Sequence, residues 1–259
     1  METPPYATRR ASVHRLPEGR AEDDRLAVEE PLEIRVNGRA IAVTMRTPGS
    51  DEELALGFCL TEGLSPTAAA PAANLAANVV EVDAPDADLD RVQRSFYTSS
   101  SCGVCGKGAL EAVAVEAPRV ESDVAVPFEI VASLPDRLRE AQATFAVTGG
   151  LHATGLFAPD GTLRCAREDV GRHNAMDKVL GWALGQGLVP LAGSILCVSG
   201  RLSFELVQKA AVAGCPILVA VGAPSSLAVE LADDRGVTLV GFVRDGRGTV
   251  YAGSHRILA

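Results

Sequence analysis

The stretch from residue 194 to residue 252 constrains the fold more than any other part of the chain. Uninterrupted apolar runs of strand length, Ser194–Val198, Pro216–Val221 and Val237–Val243, alternate there with helical segments. Ser203 opens one helix, running to Ala213, and Ser225 or Ser226 opens another, running to Asp234. A strand apolar on both sides must be covered on both faces, so this alternation predicts a buried, largely parallel sheet. Asp245 to Gly248 reads as a turn into a last strand, Thr249 to Ala252. Aromatic residues make up only 4% of a chain that is 47% hydrophobic, so Ala, Val, Leu and Ile must fill the core, as suits an α/β sheet.

Upstream, Asn37-Gly38 between two short runs within Leu32–Met45 predicts a hairpin. Ser50-Asp51-Glu52-Glu53 fits a capping box ahead of a helix that Gly63 would stop. Residues 66–77 read as an Ala- and Pro-rich loop, and Asn78–Val82 as a strand. Phe128–Ala143 reads as a helix. Thr144–Phe157 and Thr162–Ala166 read as strands joined at Asp160-Gly161. A polar segment, Arg167 to Asn174, leads into a helix with Ala175, Met176, Val179, Leu180 and Ala183 on one face. The expected organisation is a disordered tail over 1–24, an N-terminal α+β subdomain over 25–144, and an α/β core over 145–259.

The net charge of −9 argues against non-specific nucleic-acid binding, which needs a basic surface, so any phosphate site must be local. No apolar run reaches the roughly 20 residues of a membrane span. Arg9-Arg10 is followed by polar sequence rather than the apolar core of an export signal. The expected compartment is the cytoplasm, with no membrane and no nucleic-acid partner.

Six cysteines are present, and four, Cys59, Cys165, Cys197 and Cys215, sit among apolar neighbours. Cys102 and Cys105 differ. They lie in Ser101-Cys102-Gly103-Val104-Cys105-Gly106-Lys107, a glycine- and serine-rich loop (98–107) expected to be mobile and accessible. Lys107, and a helix over Gly106–Val113 if one forms, would both favour thiolate. A Cys-x-x-Cys pair can hold zinc, switch as a disulfide, or supply a nucleophile. Structural zinc wants four ligands, and no second ligand pair occurs, although Cys165 or His152 could complete a set in the fold. The spacing alone leaves a reactive thiolate, a reversible disulfide and a zinc-stabilised domain open.

Two histidines have polar settings: His152 at a strand mouth, and His173 among Asp169, Arg172 and Asn174 ahead of a helix. Each is either a hydrogen-bonded structural residue or one wall of a ligand pocket. The segment Phe242-Val243-Arg244-Asp245-Gly246-Arg247 closes a strand of the parallel set, where α/β folds bind ligands. Its N–H groups, with Arg244 or Arg247, could hold a phosphate or a guanine.

Taken together, several stretches resemble one family. They are Glu30-Pro31-Leu32, Gly57 to Gly63, Cys102-Gly103-Val104-Cys105-Gly106, Thr148 to Ala153, Glu168 to Lys178, Val207 to Ala210 and Leu239 onward. The chain is similar, from about Arg25 to its end, to the formate dehydrogenase accessory protein family, FdhD. That resemblance implies a cytidine-deaminase-like mixed sheet flanked by helices, without a zinc site, in a homodimer. It implies a sulfurtransferase that takes sulfur from a cysteine desulfurase as a persulfide on Cys102, with Cys105 assisting. The destination it implies is the molybdenum bis(molybdopterin guanine dinucleotide) cofactor of a formate dehydrogenase catalytic subunit. Residues 242–247 would then contact the guanine nucleotide. A thiol–disulfide oxidoreductase using Cys102 and Cys105, or a cofactor chaperone that transfers nothing, would be the alternatives.

Overall fold

The computed structural model describes residues 4–72, 78–88 and 117–259. Two sheets organise them, beside a short parallel pair of β7 (Val126–Pro127) with β14 (Ile257–Leu258). The larger is built from β8 (His152–Phe157), β9 (Leu163–Asp169), β10 (Ile195–Val198), β11 (Ile217–Ala220), β12 (Thr238–Arg244) and β13 (Arg247–Ala252), in the order β13-β12-β11-β10-β8-β9. Strands β10, β11 and β12 run parallel, while β8, β9 and β13 are antiparallel to their neighbours. The fold is therefore mixed α/β, and its parallel centre consists of the apolar runs that predicted it. Every residue of β10 and β11 is buried.

Helices cover both faces. On one, α2 (Phe128–Ala141) buries Val131, Leu134 and Leu138 against Ile195, Cys197, Ile217, Val219 and Val240. On the other, α4 (Arg172–Gly185) and α5 (Phe204–Val212) pack with α6 (Ser226–Arg235) against the alternate side chains of the same strands. The Ser225 side chain caps α6, and Gly236 at φ +70° ends it.

The smaller sheet, β4-β3-β6-β5, holds β3 (Glu30–Val36), β4 (Arg39–Arg46), β5 (Ala68–Pro71) and β6 (Val79–Asp83). It rests on α1 (Asp51–Thr61) through Leu32, Ile34, Val80, Val82, Leu54 and Phe58. The hairpin at Asn37-Gly38 forms with both residues at positive φ. Helix α1 also crosses α4 at a pair of glycines. A Cβ on Gly57 would lie 1.8 Å from the Asp177 carbonyl oxygen, and one on Gly181 would lie 1.8 Å from that of Glu53.

Five expectations change. Residues 8–27 are a hairpin, β1 (Thr8–Arg15) with β2 (Arg20–Ala27), rather than a tail, because its charges pair across the strands: Arg15 bonds Glu22, and Asp24 at 2.9 Å. Within 66–77, residues 68–71 form edge strand β5. The segment from 144 begins as helix α3 (Ala143–Thr148) rather than strand, because the Glu168 carboxylate accepts the Thr144 and Phe145 N–H groups at 2.9 and 2.7 Å. The Ser50 capping box does not close: Ser50 is left-handed at φ +56°, and Glu53 is drawn away into a two-bond pair with Arg167 at 2.6 and 2.7 Å. Helix α2, expected in the N-terminal subdomain, shares its buried face with the large sheet. Among the described residues no helix is long and apolar enough to cross a membrane.

Candidate functional site

The carboxyl ends of β10, β11 and β12, the start of β8 and the end of β9 meet along one edge of the large sheet. The strand exits are tied together by backbone bonds. Gly222 N–H donates to the Gly200 carbonyl at 3.1 Å, Phe242 N–H to the Gly222 carbonyl at 3.1 Å, and Leu202 N–H to the Ala223 carbonyl at 3.0 Å. The approach is close enough that a Cβ on Gly222 would lie 2.8 Å from the Gly200 oxygen. This edge is where parallel α/β sheets bind ligands.

On the α2 side the edge opens into a cleft of about 620 Å³, lined among others by Pro135, Arg139, His152, Ser199, Arg244 and Asp245. Pro135 inside α2 has no N–H, so the helix lacks one of its backbone donors where it borders the cleft. Of the six predicted nucleotide residues, Val243, Arg244 and Asp245 line the cleft. Asp245 and Gly246, at φ +52° and +69°, make the two-residue turn between β12 and β13, and Arg247 follows on the exposed side. Phe242 lies outside the cleft but on the same edge. It is 43% exposed and adopts φ +55°, a conformation an aromatic residue keeps only where its surroundings impose it. The structure thus brings three of the six into one cavity and leaves Phe242 as an exposed ring beside it.

At the end of β9, Glu168 and Asp169 point to opposite faces, as successive strand residues must. Glu168 anchors α3 on the cleft side. Asp169, fully buried, accepts from Gly171 N–H at 2.8 Å, Asn174 Nδ2 at 3.0 Å and Thr47 N–H at 3.1 Å, and pairs with Lys178 Nζ at 2.7 Å. Through these bonds it fixes the start of α4, and so the positions of Arg172 and His173. A second buried set, Lys209 Nζ bonding Asp177 at 2.8 and 2.9 Å and Thr61 at 2.8 Å, ties α5 to α4 and α1.

His173 Nε2 is 3.3 Å from Ser203 Oγ and 3.8 Å from the Glu205 carboxylate. Burial, then the charges of Arg172 and Lys209, push its pKa down to about 4 against a weaker pull from Glu205. His152 is also lowered, first by burial and then by Arg172 and Arg201. Both are neutral at pH 7. Because unfolded His173 takes up its proton near 6.5 while the folded residue resists until about 4, the stability that neutral His173 confers is complete above pH 6.5 and is lost as pH falls to 4. The melting temperature of His173→Gln should therefore approach that of the wild type between pH 6.5 and 4.5.

Cys102 and Cys105 lie outside the described residues. The other four cysteines are buried and free. Burial raises Cys59 to about 12, Cys165 to about 11 and Cys215 to about 12, and raises Cys197 as well. None of these four is a useful thiolate at neutral pH. Iodoacetamide on the native protein should add at most two carbamidomethyl groups by intact mass, and six after denaturation. Among the described residues no group of three or more His, Cys, Asp or Glu side chains could hold a metal.

Sequence reasoning did not single out Arg139, Ser199, Arg201 or the anchoring role of Asp169. Ser199 to Arg201 follow directly on an apolar parallel strand, a signal that marks them as edge residues. The roles of Arg139 and Asp169 depend on distant partners.

A family model described as the FdhD/NarQ family matches residues 27–258. Proteins named "Sulfur carrier protein FdhD" are similar over nearly their whole length. The one from Streptomyces avermitilis is 50% identical, with 96% of this chain and 95% of that one covered. The one from Mycobacterium tuberculosis is 51% identical, with 90% and 91% covered. A solved structure from Desulfotalea psychrophila, described as a candidate formate dehydrogenase accessory protein, is 30% identical. It covers 97% of this chain and 98% of that one, with a TM-score of 0.75. A guanine deaminase from Nitrosomonas europaea overlaps 55% of this chain and 89% of its own at 16% identity, with a TM-score of only 0.35.

Proposed function

The chain belongs to the FdhD/NarQ family, and we propose that it is a sulfur carrier that supports formate dehydrogenase by sulfurating the molybdenum cofactor. The observation that carries this reading is the near full-length likeness to proteins named as sulfur carriers, at about half identity. In this reading the Cys102 thiolate attacks the terminal sulfur of a desulfurase persulfide, releases the desulfurase thiolate, and becomes Cys102-S-SH, with Cys105 assisting. A persulfide ionises more readily than a thiol, so it is a competent donor at neutral pH. The burial of the other four cysteines supports assignment of the chemistry to this pair.

The substrate is the bis(molybdopterin guanine dinucleotide) form of the cofactor, with a guanine nucleotide end held by the Phe242–Arg247 hairpin. Three observations support that placement: the cleft at the carboxyl edge, Arg244 in its wall, and the exposed Phe242 ring, since aromatic faces stack on bases. The carrier acts in the cytoplasm as a homodimer.

Intact mass after incubation with a cysteine desulfurase and cysteine tests the loading step. A gain of about 32 Da that a reductant removes, and that Cys102→Ala abolishes, is the expected result. An adduct that persists in Cys102→Ala, or none under anaerobic conditions, would overturn the assignment.

A further inference from the structure

We propose that the face of the β1–β2 hairpin bearing Arg10 and Arg25 docks a carboxylate-bearing surface of the protein that receives the cofactor. The inference rests on the carrier reading above and adds to it the place where the recipient dehydrogenase sits.

The hairpin register sorts the side chains. Residues directly opposite on an antiparallel ladder share a face, so Arg10 stands with Arg25, Ser12 with Asp23 and Thr8 with Ala27. On the other face the charges are satisfied internally, since Arg15 bonds both Glu22 and Asp24. On this face they are not. Arg10 and Arg25 are direct cross-strand neighbours, which holds their Cβ atoms about 5 Å apart. Both are exposed, and neither pairs with a carboxylate of the described residues. Asp23, also exposed, lies opposite Ser12 and is paired with neither arginine. Like charges placed opposite one another weaken a ladder, and a ladder of only two strands is marginal already. An incoming carboxylate would bridge the two guanidinium groups and replace repulsion by attraction. In a chain of net charge −9, two arginines are too few to hold a nucleic acid or a membrane surface, and they suit the carboxylates of a protein.

The foot of this face touches the cleft. Ala27 packs so that a Cβ on Gly150 would lie 3.5 Å from its methyl, and Gly150 lines the cleft. Arg25 is two residues further along the same face, about 7 Å from that contact. Strand β2 also packs on α3, which borders the cleft through Phe145. A protein that takes the cofactor from the cleft must come to its mouth, and so alongside Arg10 and Arg25.

Binding of the full chain to a cofactor-free formate dehydrogenase catalytic subunit, followed by biolayer interferometry across a salt series, tests this. Wild type should bind more weakly as salt rises. Arg10→Glu/Arg25→Glu should weaken binding by about tenfold, mainly in the association rate, and flatten the salt dependence. Arg10→Glu alone separates docking from folding. Its carboxylate faces Arg25 as an attractive pair and firms the hairpin, yet binding should still weaken by about threefold. Loading by the desulfurase, read as the mass gain above, should be unchanged in both variants. If Arg10→Glu binds the dehydrogenase as wild type does, or if wild type loads sulfur without binding the dehydrogenase, the docking face is refuted while the carrier reading stands. Variants that lose loading, or a dimer, while keeping the dehydrogenase also refute it, and assign the face to the desulfurase or to a second copy. If wild type neither loads sulfur nor binds the dehydrogenase, both readings fall.

Discussion

Gly181→Ala should leave little folded protein, although helix propensity favours the change. In an open helix interior, replacing Gly by Ala gains about 1 kcal/mol. Here the added methyl would sit 1.8 Å from the Glu53 carbonyl oxygen and 2.8 Å from the Gly57 nitrogen. Both are backbone atoms of α1, so no side chain can swing aside, and the helices would have to separate. Overpacking commonly costs about 1–3 kcal/mol, and a backbone clash of this depth should exceed that range. Gly57→Ala should behave alike, since its methyl would meet the Asp177 carbonyl at the same distance. Urea denaturation followed by circular dichroism checks both. A variant as stable as wild type would mean that α1 and α4 can part without loss, and that their close crossing is not what joins the small sheet to the large one.

Lys178→Met should cost about 3–5 kcal/mol, the usual result of leaving a buried charge without its partner. Asp169 is fully buried and Lys178 is 2% exposed. Without the ammonium, Asp169 keeps its bonds from Thr47, Gly171 and Asn174 but no compensating charge. The Thr47 carbonyl also loses its 2.8 Å bond. Out of a typical total of about 5–15 kcal/mol, such a loss is large. The double variant Lys178→Met/Asp169→Asn should recover part of it, because the charge is then gone from both sides. Equilibrium denaturation of the four proteins gives the coupling, and a double variant losing the plain sum of the two singles would contradict the account.

What was legible in the sequence follows from how local each cause is. The buried strands at 195–198, 217–220 and 238–244 announce themselves because burial on two faces demands unbroken apolar runs. The turns at Asn37-Gly38 and Asp245-Gly246 are legible because positive φ selects their residues. By contrast, Thr144 to Thr148 reads as strand until Glu168, some two dozen residues away, caps it. The Ser50 box is undone by Arg167, more than a hundred residues further along, and the 8–27 hairpin depends on cross-strand charge pairs that carry no apolar period. The candidate site divides in the same way. The hairpin at 242–247 could be placed from the strand that precedes it. The hold of Asp169 on α4 is completed only when Thr47, more than a hundred residues earlier, is brought beside it.

On the proposed function, sulfur rides on Cys102 and leaves it for the molybdenum cofactor. The most direct test of that transfer starts with the carrier loaded with ³⁵S by a desulfurase, freed of cysteine, and mixed with a formate dehydrogenase bearing unsulfurated cofactor. Label should leave the carrier, appear on cofactor extracted from the dehydrogenase in step with formate oxidation, and do neither with Cys102→Ala. Label that stays on the carrier while activity rises would contradict it.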